Sequence, residues 1–175
     1  MFNLQQITNM KTTLALWFVF VFGIGHAQEP EKKTVHHLLD QWHQAAANAN
    51  LDQYFSLMSP DAIYIGTDAT ENWTMPQFKA FCKPYFDRGT AWNFKALQRN
   101  IYFNAAHDMA WFDELLDTHM KICRGSGVLK KENGQWKIAH YVLSMTVPND
   151  QIDAVIKVKA PAEDAYIKTL LQTKR

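Results

Sequence analysis

An arginine, two neighbouring acids and a histidine are the residues of this sequence best suited to chemistry. Arg124 stands beside glycines in a strand-like run, and a guanidinium on the inner face of a sheet needs a carboxylate partner, because burying a lone charge is costly. Asp113 or Glu114 in the preceding run supplies one. Two interpretations follow: an arginine held for a carboxylate-bearing ligand, with the acid as orienter or base, or a structural ion pair in the wall of the sheet.

His140 is a second candidate for acid–base work, because histidine side chains exchange protons near neutral pH. The alternative is a histidine that is simply hydrogen-bonded on an apolar strand face. We take Asp113 and His140 as the candidate catalytic residues. Ser126 and Ser144 alternate along the same strand faces as Arg124 and His140, so we place all three of Arg124, Ser126 and Ser144 among the candidate ligand contacts.

Four aromatic residues are candidates for lining a pocket and stacking on a flat ligand: Tyr64, Trp73, Trp92 and Trp111. Core packing is the competing interpretation for each of them. Trp73 is the strongest candidate, because it follows a polar loop instead of lying within a periodic run, and loops at the rim of a site are where ligands make contact. Glu71, on the same loop, is a further rim candidate.

Several function classes lose support from motifs that the sequence does not contain. It has no glycine-rich phosphate loop, no Gly-x-Ser-x-Gly, no His-Glu-x-x-His, no calcium-binding loop and no Cys-x-x-Cys. We therefore predict no cofactor and no metal site. Lys11 is the only charged residue before position 28, so the remainder carries 17 basic and 17 acidic residues and gives no reason to expect nucleic acid as a partner.

The N-terminal residues have the pattern of a cleavable secretory signal. Lys11 precedes an apolar run of eleven residues, Leu14–Ile24, and small residues at Gly25 and Ala27 suit a signal peptidase. A membrane anchor is the alternative, but a span needs about 20 apolar residues. We predict cleavage after Ala27, a periplasmic or extracellular location and no membrane attachment afterwards; the pattern would start more naturally at Met10 than at Met1. An oxidising compartment permits a bridge between Cys82 and Cys123, but we interpret them as two buried apolar residues.

Hydrophobic periodicity predicts helices first and then a meander of strands. Apolar residues spaced by three and four predict a helix from Thr34, and two shorter helices and a strand follow before residue 90. The period then changes to two, with four strands predicted at 92–104, 109–118, 120–132 and 135–147, the last two joined by Asn133-Gly134. This order predicts an α+β cone in which N-terminal helices pack on a strongly curved antiparallel sheet. We divide the chain into a signal peptide (1–27), a polar leader (28–33), the domain (34–158) and a C-terminal helical tail (159–175).

The order of elements and four stretches resemble the SnoaL-like branch of the nuclear transport factor 2-like superfold. The stretches are Asp61–Trp73, Ala110–Glu114, Arg124–Leu129 and Gly134–Ser144. The resemblance implies the cone fold and a homodimer formed through the sheet. It does not imply one activity, because this superfold carries isomerases, cyclases, dehydratases, binding modules and oligomerisation domains. We therefore expect a small organic ligand in the cone, with a cofactor-free isomerase, cyclase or dehydratase as the alternative.

Overall fold

The computed structural model describes residues 29–173, so the predicted signal peptide lies outside the described range. Within that range no helix is long and apolar enough to cross a membrane. The helices and strands are α1 (29–47), α2 (Leu51–Ser56), β1 (Met58–Ile65), β2 (Asn72–Thr74), α3 (Met75–Asp87), β3 (Lys95–Phe103), β4 (Met109–Thr118), β5 (Lys121–Glu132), β6 (Gln135–Met145), a 3-10 turn (Asn149–Gln151) and α4 (Ile152–Thr173).

Helix α1 includes residues 29–33, which the sequence pattern placed in a polar leader. Its predicted apolar face is buried, with Leu39 and Trp42 at its centre. The additional first turn is held by Glu31, which lies 2.8 Å from Nδ1 of His107 and also pairs with the Lys131 ammonium. These partners belong to the β3–β4 turn and to β5. Tertiary contacts therefore extend the helix from Thr34 back to residue 29, and hydrophobic periodicity in the sequence does not reveal such contacts.

Local sequence explains where the other elements begin and turn. Asn50 caps α2 by accepting the backbone N–H of Gln53 at 3.1 Å, and the Gln77 side chain accepts the backbone N–H of Thr74 at the start of α3 at 2.9 Å. Asn133 and Gly134 both have positive φ, 51° and 79°, as a tight hairpin between β5 and β6 requires. The hairpin predicted from these two residues is confirmed.

The six strands form one open, curved sheet in the order β2-β1-β6-β5-β4-β3. Strands β3 to β6 form the predicted antiparallel meander. Strand β1 pairs antiparallel with β2 but parallel with β6, so the sheet is mixed. The parallel pair arises because the chain crosses from β1 to the far edge of the sheet through α3 before it returns as β6. The predicted α+β cone is confirmed.

Alternation along the strands divides the sheet into an inner face against α1–α3 and an outer face. In β4, Phe112, Glu114 and Leu116 are buried inside, while Trp111 and Asp113 point outward. The pairing register between β5 and β6 shifts between Val128 and Leu129, where Leu129 pairs with Ile138 but Val128 pairs with His140. The extra residue, Ala139, forms a β-bulge that reverses the alternation of β6 from there onward.

Because of this bulge, both halves of β6 contribute to the core. Ile138 and then Tyr141 and Leu143 are buried, although simple alternation from Ile138 would have turned His140 inward.

Glycines in β5 make room for the inner residues. A Cβ at Gly125 would lie 2.2 Å from the Tyr141 hydroxyl, and one at Gly127 would lie 2.4 Å from the carbonyl oxygen of His140. The glycines of β5 are therefore required by close packing.

The C-terminal part of the chain is one continuous helix that crosses the predicted boundary between domain and tail. Helix α4 runs through Pro161 from Ile152 to Thr173, and none of its residues is buried. The predicted division between domain and tail at residues 158 and 159 falls inside this helix. Cys82 and Cys123 are both buried and unbridged, as interpreted from the sequence.

Candidate functional site

An aromatic pocket of about 230 Å³ opens between β1, the loop before β2, α3 and the segment before β3. Four of the site residues predicted from the sequence line this pocket: Tyr64, Glu71, Trp73 and Trp92. The other lining residues are Gly66, Thr67, Phe78, Phe81, Tyr85, Phe94, His119, Met120 and Leu143. The volume is large enough for a ligand of one or two rings, and aromatic walls with few polar groups are typical of small-molecule sites.

Stacked rings form the wall of the aromatic pocket and fix its shape. The Tyr64 and Phe78 rings are 3.9 Å apart at 14°, and Trp73 stacks on Phe81 at 4.5 Å and 25°. Tyr64 and Phe78 are buried, whereas Phe81 is 37% exposed at the rim. The pocket therefore has a packed aromatic floor and a rim at which Trp73 and Phe81 remain accessible to a ligand.

Glu71 reaches the aromatic pocket because the loop before β2 folds back over Gly66. The backbone N–H of Gly66 donates to the Glu71 carbonyl at 2.9 Å, and a Cβ at Gly66 would lie 2.1 Å from Oε2 of Glu71. The same Oε2 accepts the backbone N–H of Asp68 at 3.2 Å. Only glycine at position 66 leaves room for the carboxylate in this position.

A second polar feature, the buried network, lies deeper between α1 and the inner face of the sheet. Nε2 of His43 is 2.8 Å from Oε1 of Glu114, which also accepts the Tyr141 hydroxyl at 3.2 Å. Nε of Arg99 donates to the other carboxylate oxygen at 2.8 Å, and its Nη1 donates to Asp40 at 2.7 Å. Glu114 is fully buried, and the Arg99 side chain is 4% exposed. Each charge in the network thus has a partner of opposite sign.

The environment of Glu114 keeps it ionised. Burial raises the pKa of its carboxyl, but the hydrogen bond and charge of His43 and the charge of Arg99 together outweigh burial, so the pKa lies below its ordinary value of 4.5.

His43 also borders a separate, polar pocket of about 440 Å³, lined in part by Asp40, Asn48 and Lys95. Glu114 and Arg99 neutralise each other's charge. We therefore interpret the buried network as a structural support for the pocket.

Six of the predicted site residues do not line either pocket, and this placement corrects the prediction. They lie on the outer face of the sheet: Trp111, Asp113, Arg124, Ser126, His140 and Ser144. Arg124 does face Asp113, but at 3.5 Å and with 54% and 34% of the two side chains exposed. Asp113 points outward with Trp111, opposite to the buried Phe112, Glu114 and Leu116, and His140 points outward because of the bulge at Ala139.

None of the five residues of the buried network, Asp40, His43, Arg99, Glu114 and Tyr141, was selected as a site residue from the sequence, although Glu114 was considered as a partner for Arg124. Glu114 alternates with Phe112 and Leu116, but Asp113 alternates with Trp111 and Leu115, so parity alone did not show which acid faces the core. Arg99 similarly alternates with Ile101, while His43 lies one turn from Leu39 on the apolar face of α1. Among residues 29–173 no group of three or more acid, histidine or cysteine side chains is placed to hold a metal ion.

Comparison with known proteins identifies the family. A sequence model of the SnoaL-like domain matches residues 35–148. The chain belongs to this SnoaL-like family. The match starts within α1 and ends after β6, so this SnoaL-like domain comprises all six strands together with α2 and α3. No protein of curated function matches the sequence.

Solved structures of the same fold share little sequence with this SnoaL-like chain. An NTF2-like protein of unknown function from Pseudomonas putida superposes with a TM-score of 0.58 at 16% identity, covering 70% of this chain and 92% of that one. A cystatin-like domain of unknown function from Nostoc punctiforme gives 0.58 at 14%, covering 82% and 96%. The association domain of CaMKII from C. elegans gives 0.57 at 17%, covering 68% and 98%. At these identities the likeness establishes the fold.

Proposed function

We propose that this SnoaL-like domain binds a small, mainly apolar organic molecule in the aromatic pocket. The observation that carries the proposal is the set of aromatic side chains around about 230 Å³ of space, with Trp73 and Phe81 stacked at the rim. A flat ligand inserted there would replace water against ring faces on several sides, which is favourable in proportion to the apolar area covered.

Binding is favoured over the alternative of cofactor-free acid–base catalysis by the position of the charged groups. The acid and histidine predicted for that chemistry, Asp113 and His140, lie on the outer face of the sheet. The buried acid, Glu114, is engaged by three side chains, His43, Arg99 and Tyr141, and its pKa is lowered, whereas a general acid in an apolar pocket has a raised pKa. The positions of these three groups therefore favour recognition of a ligand over proton transfer by any of them.

Replacing Trp73 by alanine should weaken binding of a flat probe by at least about tenfold, because stacking and burial against an indole are worth one to a few kcal/mol. The probe is 2-naphthol, which is planar, neutral and small enough for the pocket, titrated by isothermal calorimetry.

The matched control is Trp111→Ala, which removes a tryptophan that is 48% exposed on the outer face and does not line the pocket. We expect this variant to bind like the wild type. Equal losses in both variants, or no binding of the probe to the wild type, would count against the aromatic pocket as a ligand site.

We also propose that the chain is exported and cleaved after Ala27, on the basis of the charged start, apolar run and small residues described above. Expression of the whole reading frame in a Gram-negative host should place the product in the periplasm, with Gln28 as the N-terminal residue by mass spectrometry of the intact protein. Replacing Val19 and Val21 in the apolar run by aspartate should retain the uncleaved chain in the cytoplasm. Cleavage elsewhere, or retention of the unmodified chain, would contradict the proposal.

Finally, we propose that two copies pair through the outer face of the sheet. This face carries an exposed aromatic pair, Tyr102 and Trp111, whose rings stack at 6.0 Å and 20°. Half-buried aliphatic residues, Val128 and Val142, continue the apolar surface across β5 and β6. Exposed aromatic rings beside aliphatic residues on the open face of a sheet are typical of a protein interface.

A further inference from the structure

The charge of the aromatic pocket is not balanced by the protein. Among the residues that line it, Glu71 is the only acid, none is a lysine or arginine, and His119 is the one histidine. Within residues 29–173, no lysine, arginine or histidine nitrogen comes within ion-pairing distance of the Glu71 carboxylate, whereas Glu31, Glu114 and Glu132 each have such a partner. The pocket thus presents one uncompensated negative charge to whatever enters it.

The contacts of Glu71 leave much of its capacity unused. One oxygen, Oε2, accepts a single backbone N–H from Asp68 at 3.2 Å, and a carboxylate has room for about four such bonds. The carboxylate also acts on the pocket floor. Burial, with contributions from Cys82 and Glu71, raises the pKa of the Tyr64 hydroxyl, and Tyr64 lines the same pocket as Glu71.

The aromatic faces around Glu71 also favour positive charge. The faces of tryptophan, tyrosine and phenylalanine carry negative electrostatic potential and attract cations within about 6 Å of the ring centre. One such cation–π contact exists at the rim, where the Arg88 guanidinium lies over the Tyr85 ring at 5.0 Å from its centroid. Among residues 29–173, no lysine or arginine lies over the ring of Trp73 at the rim or over the rings of Phe78 and Trp92 deeper in the pocket.

Building on the binding function proposed above, we propose that the ligand of the aromatic pocket is an organic cation, a quaternary or alkylated ammonium group attached to a small apolar or aromatic body. The ammonium group would lie against the Trp73 ring and beside Glu71, and the apolar body would lie on the Tyr64–Phe78 floor. A neutral ligand of the same shape would gain the burial but neither the ring attraction nor the ion pair. Charge therefore selects among ligands that the shape alone would admit.

The test compares two probes that differ only in charge. Phenyltrimethylammonium and its neutral carbon isostere, tert-butylbenzene, are titrated against the wild type while tryptophan fluorescence is followed, at about pH 8 so that histidines are neutral. We expect the cation to bind about tenfold more tightly, with the preference shrinking as salt is added. Glu71→Gln keeps the acceptor for the Asp68 N–H and should abolish most of the preference without changing the affinity for tert-butylbenzene.

Asp113→Asn serves as the matched control, because it removes an equal charge from the outer face and should leave the preference intact. If both probes bind equally well and depend on Trp73, the binding function stands and the cation proposal is wrong. If neither probe binds, both proposals are wrong. A preference for the cation that survives in Glu71→Gln would also overturn the proposal, because the carboxylate would then contribute nothing to it.

Discussion

Replacing Glu114 by glutamine should lower the free energy of unfolding by about 3 kcal/mol, the lower end of what is found when one partner of a buried ion pair is removed. The variant leaves the Arg99 guanidinium, 4% exposed, with only Asp40 as a charged partner, and Asp40 is itself 63% exposed. It also removes the acceptor charge beside His43. Urea denaturation followed by tryptophan fluorescence measures the loss, which corresponds to a drop in melting temperature of about 10 °C.

The difference between the wild type and Glu114→Gln should depend on pH. Because the folded state lowers the pKa of Glu114 below 4.5, its ionisation stabilises the fold fully above that value. As the pH falls from 4.5 through the lowered folded-state pKa, the wild type loses this contribution, and the glutamine variant has none to lose. The two unfolding curves should therefore converge in acid and differ most near neutral pH.

The neighbouring residue supplies the control for this experiment. Asp113→Asn removes a carboxylate from the adjacent position of the same strand, but on the outer face, where its partner Arg124 is 54% exposed. A half-exposed ion pair contributes about 0–1 kcal/mol. Equal stability of the Glu114→Gln and Asp113→Asn variants would show that the buried network does not stabilise the fold.

Replacing Trp111 by lysine should convert a dimer of this chain into monomers, because the change places a charge at the centre of the proposed interface and removes an aromatic anchor. We expect self-association to weaken by at least about a hundredfold, measured by sedimentation velocity over a range of protein concentrations. Since Trp111 is 48% exposed in the single chain, its replacement should leave the fold of each copy and its far-UV circular dichroism unchanged.

Tyr85→Lys is the control for self-association. It makes a comparable aromatic-to-lysine change at a site that is 38% exposed on α3, away from the outer face of the sheet. This variant should remain dimeric. A monomeric wild type, or a Trp111→Lys variant that associates as strongly as the wild type, would contradict pairing through the outer face.

Periodicity and turn residues were sufficient to predict the fold. The change of period after residue 90 and the Asn133-Gly134 turn identify the meander, and these signals are local. Three-dimensional contacts account for what was missed. The first turn of α1 depends on Glu31 meeting His107 and Lys131, residues far along the chain. The parallel pairing of β1 with β6 likewise depends on the path of the whole chain and has no signature in either strand.

The candidate site was predicted in part. Residues next to a loop signal, Glu71 and Trp73, do line the aromatic pocket, whereas residues assigned through strand alternation were placed on the wrong face. Alternation gives two faces but does not say which is buried, and in β4 both faces carry large apolar residues, Phe112 and Leu116 on one and Trp111 and Leu115 on the other. In β6 no parity argument could succeed, because the bulge at Ala139 becomes visible only once β5 and β6 are paired.

The separation of the two sheet faces bears on how sequences of this kind can diverge. The aromatic pocket takes its walls from β1, α3 and the loops around them, and the outer face takes its surface from alternate residues of β3 to β6. No residue belongs to both. Substitutions that retune the proposed ligand site and substitutions that alter the proposed pairing surface can therefore accumulate independently, so a lineage is free to change one surface while retaining the other.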